Sequence, residues 1–507
     1  MPDGVFPKRS DFVDRYSNGQ AQLVYTRVVN DIDTPVSAYI KIAYGQPYAF
    51  LFESVQGGEQ RGRYSFLGFS PDVVWRSHGE NSEIARDADI KAQKFTALSG
   101  KPLDTLRALQ DESAFQLPED IPPMAAGLFG YLGYDMIRHV EHLPNVNSDP
   151  INTADAIMVR PTLVAIFDLI AQEVILATAV YPSLLSADEA YDAALARLKK
   201  VEDEMAKPTA SLPISVQDTP KLTPTLGTTE AEFSGRVKKA KDYILAGDIF
   251  QVVIGQRLSS PMPASSLAFY RALRRMNPSP FLYFLEFEGH SIVGSSPEIL
   301  VRSRGGVVTV RPIAGTRPRG KTKAQDIKHE HDLLADQKEC AEHLMLLDLG
   351  RNDVGRVSKA GTVNVTERFT IERYSHVMHI VSNVEGELLE EHDALSALFA
   401  GFPAGTVSGA PKVRAMEIID ELETEKRGIY AGAVGYISCE GEMDTAIALR
   451  TAIIKDGTLH VRAGAGIVMD SLPKMEFEET LHKAAALFRA AEQSVRFETV
   501  TKPNRDS

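Results

Sequence analysis

Cysteine is nearly absent: the 507 residues include only Cys340 and Cys439. Two thiols exclude a disulfide framework and a cysteine-based zinc cluster, and they suit a reducing cytosol. No apolar run is long enough to cross a bilayer. The opening segment Met1–Phe12 has no apolar core, so it is not expected to be a secretory signal. Basic residues are in deficit, 55 against 68 acidic, for a net charge of −13. That balance argues against nucleic acid or an anionic membrane as the main partner. Internal repeats and low-complexity tracts are missing. So are the nucleophile elbow G-x-S-x-G and the dinucleotide fingerprint G-x-G-x-x-G, because Met469 stands where the third glycine after Gly464 and Gly466 would be. The single tryptophan, Trp75, carries no functional signal.

What is present is an ordinary soluble composition, 44% hydrophobic and 24% charged, in a chain too long for one ordinary core. β-branched and aromatic enrichment marks strands at Gln22–Val29, Tyr48–Phe52 and Thr162–Phe167, and a helix carries Ala190, Ala194 and Leu198. Prolines cluster between Lys207 and Pro224, which divides the chain into an N-terminal region (1–206), a linker (207–227), a second domain (228–495) and a tail (496–507). Thr229-x-x-Glu232 is a capping box opening a helix with Phe233, Val237, Ala240 and Ile244 on its core side. Strands are expected at Ile249–Leu258, Val307–Val310, His379–Val384, Ile429–Ser438, Ala446–Ile454 and Leu459–Met469. One acidic helix is expected from Ala324 to Leu349, and a last helix from Pro473. The pattern predicts an α+β fold: largely antiparallel sheets packed as a sandwich, with helices outside.

Two Glu-x-x-Glu pairs, Glu339/Glu342 and Glu476/Glu479, lie in helical context. Residues three apart share a helix face at about 5–6 Å. Each pair is either a solvated acidic face or half of an oxygen-rich cage for Mg²⁺, which favours carboxylates, substrate oxygens and water. Further polar residues stand beside glycines in the second half. They are Glu298 after Gly294-Ser-Ser-Pro, Thr316 after Gly315, His376 and His379, Thr406 in the small-residue loop Gly401–Lys412, and Arg450 in an apolar run. Ala463-Gly-Ala-Gly466 allows a ligand close to the backbone, and Lys483 shares a helix face with Glu476 and Glu479. These residues suit a Mg²⁺-dependent enzyme acting on a small anion. Each also has a plainer structural reading: a satisfied core histidine, a buried ion pair at Arg450, a bulge at the glycines, a turn hydroxyl at Thr406. Gly315–Thr322 matches the P-loop pattern. Pro318 and two arginines crowd it, Leu344–Asp348 continues a helix, and no repeated βαβ alternation surrounds it.

Taken together, Gly247–Val253, Gly294–Glu298, Pro312–Arg317, Asp348–Asp353, Val377–His379, Pro403–Lys412 and Glu476–Lys483 resemble the chorismate-binding enzyme family. Leu51-Phe-Glu-Ser54, Gly62–Gly68 and Met276–Phe281 extend the resemblance over nearly the whole chain. Isochorismate and salicylate synthases carry a lysine base where Gln251 stands. Aminodeoxychorismate synthases typically carry a nucleophilic lysine where Ala314 stands. Lacking both, the chain resembles the anthranilate-forming branch, since ammonia needs neither device. An alanine at the second position also occurs elsewhere in the family.

The resemblance implies that ammonia adds to C2 of chorismate and that the C4 hydroxyl and pyruvate leave. It implies that Glu342 and Glu479 ligate Mg²⁺, that Glu339 and Glu476 hold its waters, and that Glu298 is the acid. It further implies that Tyr430, Arg450, Gly464, Ala465 and Gly466 bind the enolpyruvyl carboxylate, that Thr316 and Lys483 contribute to binding, and that His379 and Thr406 orient the ring. A tryptophan feedback pocket is implied around Glu53, Ser54, Asn277, Pro278, Ser279, Pro280 and Phe281. Phe52 departs from the family's leucine there, and His482 from its asparagine on the last helix. No glutaminase nucleophile is visible, so ammonia is expected free or from a separate glutamine amidotransferase subunit, in the cytoplasm. A ligand-binding protein on a retired catalytic fold is the non-enzyme alternative, opposed by the intact Glu298, His379 and acid pairs.

Overall fold

In the computed structural model of the chain, residues 4–54, 62–144, 147–209, 219–374 and 377–498 are described. Among the described residues, twenty-two strands join in one hydrogen-bonded network, and its long ladders are antiparallel. The halves either side of the proline cluster share these ladders. Ala49–Glu53 pairs with Phe281–Phe287, Leu282 standing opposite Glu53, and Gly127–Leu132 pairs with Ala433–Ser438. Residues 210–218 of the expected linker and 499–507 of the expected tail lie outside the described residues.

Side-chain alternation sorts the layers. Leu51, Leu282, Phe284, Leu163, Ala165 and Phe167 belong to a core shared with the helices Pro35–Ile42, Ala187–Met205, Ser266–Met276 and Pro473–Ser494. Their strand neighbours Phe50, Tyr283, Leu285, Val164 and Ile166 fill the sheet-on-sheet interior with Phe129, Tyr131 and Tyr436. A third core sets Glu230–Ala246, Gln337–Gly355, Ala394–Gly401 and Lys412–Leu422 against strands of the second half. The α+β sandwich read from the sequence is the observed architecture.

The capping box at Thr229 forms as read, and Gly247 ends that helix at φ 84°, a left-handed position that suits glycine. The acidic helix corrects the reading: it is two helices, Lys323–Ala335 and Gln337–Gly355. Asp336 leaves helical geometry and its carboxylate accepts from the backbone N–H groups of Lys338 and Glu339, an N-cap. The signal was in the sequence, because Asp336-x-x-Glu339 is itself a capping pattern. The run Ala446–Ile454 is likewise two strands, Met443–Ile447 and Thr451–Lys455, interrupted where Arg450 takes φ 47°. The strand expected from Ile429 begins at Ala433, after a turn in which Ala431 has φ 68°.

Candidate active site

The site is built where the Gln251–Pro261 strand meets the Thr458–Ile467 strand. Val253 stands opposite Gly466 and Gly255 opposite Gly464. A Cβ on Gly464 would lie 2.8 Å from the Tyr430 hydroxyl, and one on Gly466 would lie 2.6 Å from Gln251 Nε2. These glycines therefore keep room for two named side chains, which is more specific than the bulge that spacing alone suggested. Ala465, between them, is fully buried. Val253 N donates to Ser408 O at 2.8 Å, which brings the small-residue loop alongside.

That loop carries Thr406, whose hydroxyl reaches both carboxylate oxygens of Glu298 at 3.3 Å. Glu298 is 6% exposed. Burial pushes its pKa up to about 8, against the smaller opposing effects of Thr406 and the Ile313 backbone. A carboxyl that still holds its proton at neutral pH is a proton donor. A cavity of about 30 Å³, lined in part by Glu298, Thr406, Arg311 and Asp353, adjoins it.

His379 pairs across the sheet with Thr316. Its Nδ1 lies 3.0 Å from Gly315 O and 3.0 Å from Thr316 Oγ1. A carbonyl oxygen only accepts, so Nδ1 carries the proton and Nε2 the lone pair. Burial pushes this imidazole's pKa down, the Gly315 contact opposes it, and the charge of Arg450 adds to the fall. Tyr374 packs edge-on to the ring at 5.4 Å. His376 lies outside the described residues.

Arg450 is held by a left-handed backbone, a conformation costly for a non-glycine residue. Its side chain is part-buried and feels Tyr374, with no carboxylate acting on it among the described residues. The structural ion pair weighed from the sequence is therefore not found there. A partly desolvated guanidinium with no acid beside it among the described residues is a ready site for a ligand carboxylate.

The two acid pairs do not form a closed cage among the described residues. Glu342 accepts from Gln251 Nε2 at 3.1 Å, Glu479 pairs with Lys483 at 2.7 Å, and Glu339 meets Arg317 at 3.4 Å. Lys483 also donates to Gly464 O at 3.0 Å. Among the described residues no three His, Cys, Asp or Glu side chains are gathered as a ligand group. Proximity is nevertheless evident. Burial raises the pKa of Glu342, and Lys483 of the opposite helix acts on it; burial raises that of Glu476, and Lys338 acts on it in return. Gln251 is 5% exposed, and its Oε1 is buried with no hydrogen-bond partner. Carboxylates and an unsatisfied buried oxygen are the kinds of donor a hard cation such as Mg²⁺ takes.

The second cluster of sequence candidates only partly converges. Ser54, Glu53, Pro280 and Phe281 line a cavity of about 650 Å³, whereas Asn277, Pro278 and Ser279 are not among its lining residues. Ser279 is buried, and Asn277 is engaged with Ser295. Glu53 is not a free ligand either. Its side chain is 2% exposed and is held by Arg274 at 2.7 and 3.0 Å and by the Tyr270 hydroxyl at 2.5 Å. Sequence reading missed Arg274 and Tyr270, although both stand on the helix just before Asn277.

The P-loop pattern fails structurally. Leu344–Asp348 lies within Gln337–Gly355. Gly320 N, which would face a phosphate, instead donates to Asp326 Oδ1 at 2.7 Å, and Arg319 binds the same carboxylate. Lys321→Ala is expected to leave catalytic turnover within about twofold, as for an exposed surface substitution. No ATP hydrolysis is expected from either protein; hydrolysis lost with the substitution would restore the nucleotide reading.

The model of the chorismate binding enzymes matches residues 48–489. Anthranilate synthase component 1 of Cereibacter sphaeroides is 56% identical over 485 residues, 94% of this chain and 96% of that one. Its counterpart from Pseudomonas aeruginosa is 46% identical over 499 residues, 96% and 99% of the two chains. The crystal structure of anthranilate synthase component I from Streptococcus pneumoniae superposes with a TM-score of 0.75 at 36% identity, over 91% of this chain and 99% of that one. The menaquinone-specific isochorismate synthase of Escherichia coli, at 18% identity and a TM-score of 0.68, shares the fold. With a family match spanning most of its length, the chain belongs to the chorismate binding enzymes, among the component 1 chains of anthranilate synthase.

Proposed function

We propose that the chain converts chorismate and ammonia to anthranilate, pyruvate and water. The observation that carries the reading is Glu298, a buried carboxyl that keeps its proton near neutral pH beside Thr406. Ammonia attacks C2, the ring double bonds shift, and Glu298 gives its proton to the C4 hydroxyl, which leaves as water. His379 Nε2 stands ready to take the C2 proton as the C3–O bond breaks and pyruvate departs, which aromatises the ring. Gln251 and Ala314 leave no lysine to activate water or attack the ring, which favours ammonia as nucleophile.

Arg450, Tyr430 and the Gly464–Gly466 backbone bind the side-chain carboxylate, and Thr316 and Lys483 border the ring. Glu342 and Glu479 would hold Mg²⁺, with Glu339 and Glu476 on its waters. When bound, the ion neutralises the ring carboxylate. Ammonia comes from solution or from a separate glutamine amidotransferase, the component II that a component 1 implies. No helix among the described residues is long and apolar enough to cross a membrane, and both thiols are free, which supports a cytoplasmic setting. Incubating the isolated chain with chorismate, Mg²⁺ and an ammonium salt is expected to yield the fluorescence of anthranilate. Isochorismate, salicylate or 4-amino-4-deoxychorismate as main product would refute the assignment.

Tryptophan is the proposed inhibitor at the 650 Å³ cavity. Its walls come from both halves of the chain, so an occupant can bias their arrangement, provided it binds the inactive state better. Ser54→Phe is expected to raise the tryptophan concentration for half-inhibition at least about tenfold, by filling a site whose ligand must discriminate between states. Superimposable inhibition curves for the two proteins would place the effector elsewhere.

A further inference from the structure

Below the site lies a buried ion pair that the proposed chemistry does not use. Arg427 and Glu423 have side chains 1% and 2% exposed. Arg427 donates from Nη2 and Nε to Glu423 at 2.6 and 3.1 Å. It also donates to Val407 O at 2.7 Å and to Val253 O at 2.7 Å. Its Cζ lies 5.5 Å from the Tyr430 ring centroid. Glu423 in turn accepts from Gly255 N at 2.8 Å and from Arg462 Nη1 at 2.8 Å. Burial alone would push the Glu423 carboxyl up, but Arg427 and Arg462 outweigh it and hold its pKa below the ordinary range.

Each of these bonds ends beside a different piece of the site. Val407 follows Thr406. Val253 is two residues from Gln251 and opposite Gly466, and Gly255 is opposite Gly464. Arg462 is two residues before Gly464 on the same strand. Tyr430 is the side chain for which Gly464 keeps room. The pair ties together the Thr406 loop, the Gln251–Pro261 strand and the Thr458–Ile467 strand, three segments that each carry residues of the site. A planar guanidinium can bridge two carbonyls and a carboxylate at fixed angles, which an ammonium cannot.

We infer that Arg427 and Glu423 are positioning residues that set the placement of Thr406 against Glu298 and of Tyr430 against Gly464. The inference rests on the proposed anthranilate chemistry, and wild-type product formation checks that reading separately. Arg427→Lys keeps the charge and loses the fork. Its kcat is expected to fall by roughly 30-fold or more and its chorismate KM to rise by about threefold or more, at unchanged circular dichroism, because small misplacements of reacting groups are costly.

Arg160→Lys is the comparison. Arg160 forms a similar buried fork on Asp72, at 2.9 and 2.9 Å, in the N-terminal half away from these segments. It is expected to lower thermal stability with kcat and KM unchanged. A folded Arg427→Lys protein within threefold of wild type in both constants would overturn the inference. If that variant does not fold, Glu423→Gln, which keeps the shape and removes the charge, is judged by the same two limits.

Discussion

Glu298→Gln is expected to lower anthranilate formation by about 10²–10⁴-fold, the span over which a positioned acid accelerates proton transfer. Glutamine keeps the shape and the Thr406 contact but cannot release a proton to the leaving hydroxyl. Chorismate KM should change little, because the acid acts in the transition state. The same group predicts the pH profile. With a pKa of about 8, Glu298 is protonated at neutral pH and ionises above it. kcat, expressed per free ammonia, should therefore fall on an alkaline limb near pH 8, and that limb should be missing from the residual activity of the variant. A limb retained in Glu298→Gln would assign the proton to another group.

The stability consequence has a definite sign. The folded-state pKa lies above the unfolded carboxylate value of about 4.3, so the native state binds the proton more tightly. The stability that protonation contributes is fully present below the unfolded value and is lost as pH rises through about 8. Glutamine never ionises. The variant's melting temperature relative to wild type should therefore be higher at pH 9 than at pH 4. A site that destabilises the fold in order to hold a proton commonly gains stability when disarmed.

Glu342→Gln and Glu479→Gln are each expected to abolish detectable turnover at ordinary Mg²⁺, since a hard cation loses a charged oxygen. A chelator should do the same to the wild type, with recovery on adding Mg²⁺. Glu342 is part-buried, and its partner Gln251 already occupies one of its oxygens. In Glu479→Gln, Lys483 loses its 2.7 Å partner; the lysine is half exposed, so folding should be spared and the loss confined to activity. Isothermal titration with Mg²⁺ alone gives a second readout, expected to show weakened binding in both variants. Near-normal turnover and unchanged titration would mean that the two pairs are solvated acidic faces.

Local signals in the sequence determined the elements and the ingredients. Thr229-x-x-Glu232 sets a helix start whatever surrounds it, because the cap is made within one turn. β-branched and aromatic enrichment marks strands such as Gln22–Val29 and Tyr48–Phe52, which with the helices between them point to a layered α+β fold. Glu-x-x-Glu on a helix fixes a shared face, and Gln251 with Ala314 names the chemistry through family likeness. Tertiary structure decided what each residue faces, which spacing cannot encode. Glu298 becomes an acid only because 6% exposure desolvates it. Arg450 reads as an interruption in an apolar run, and only the packed site shows it part-buried with no acid beside it among the described residues. Glu53 reads as a ligand, yet Arg274, over two hundred residues away, has already taken its charge. The Arg427–Glu423 fork was visible only as a four-residue spacing, since its other partners come from strands and loops that meet when the sheet closes.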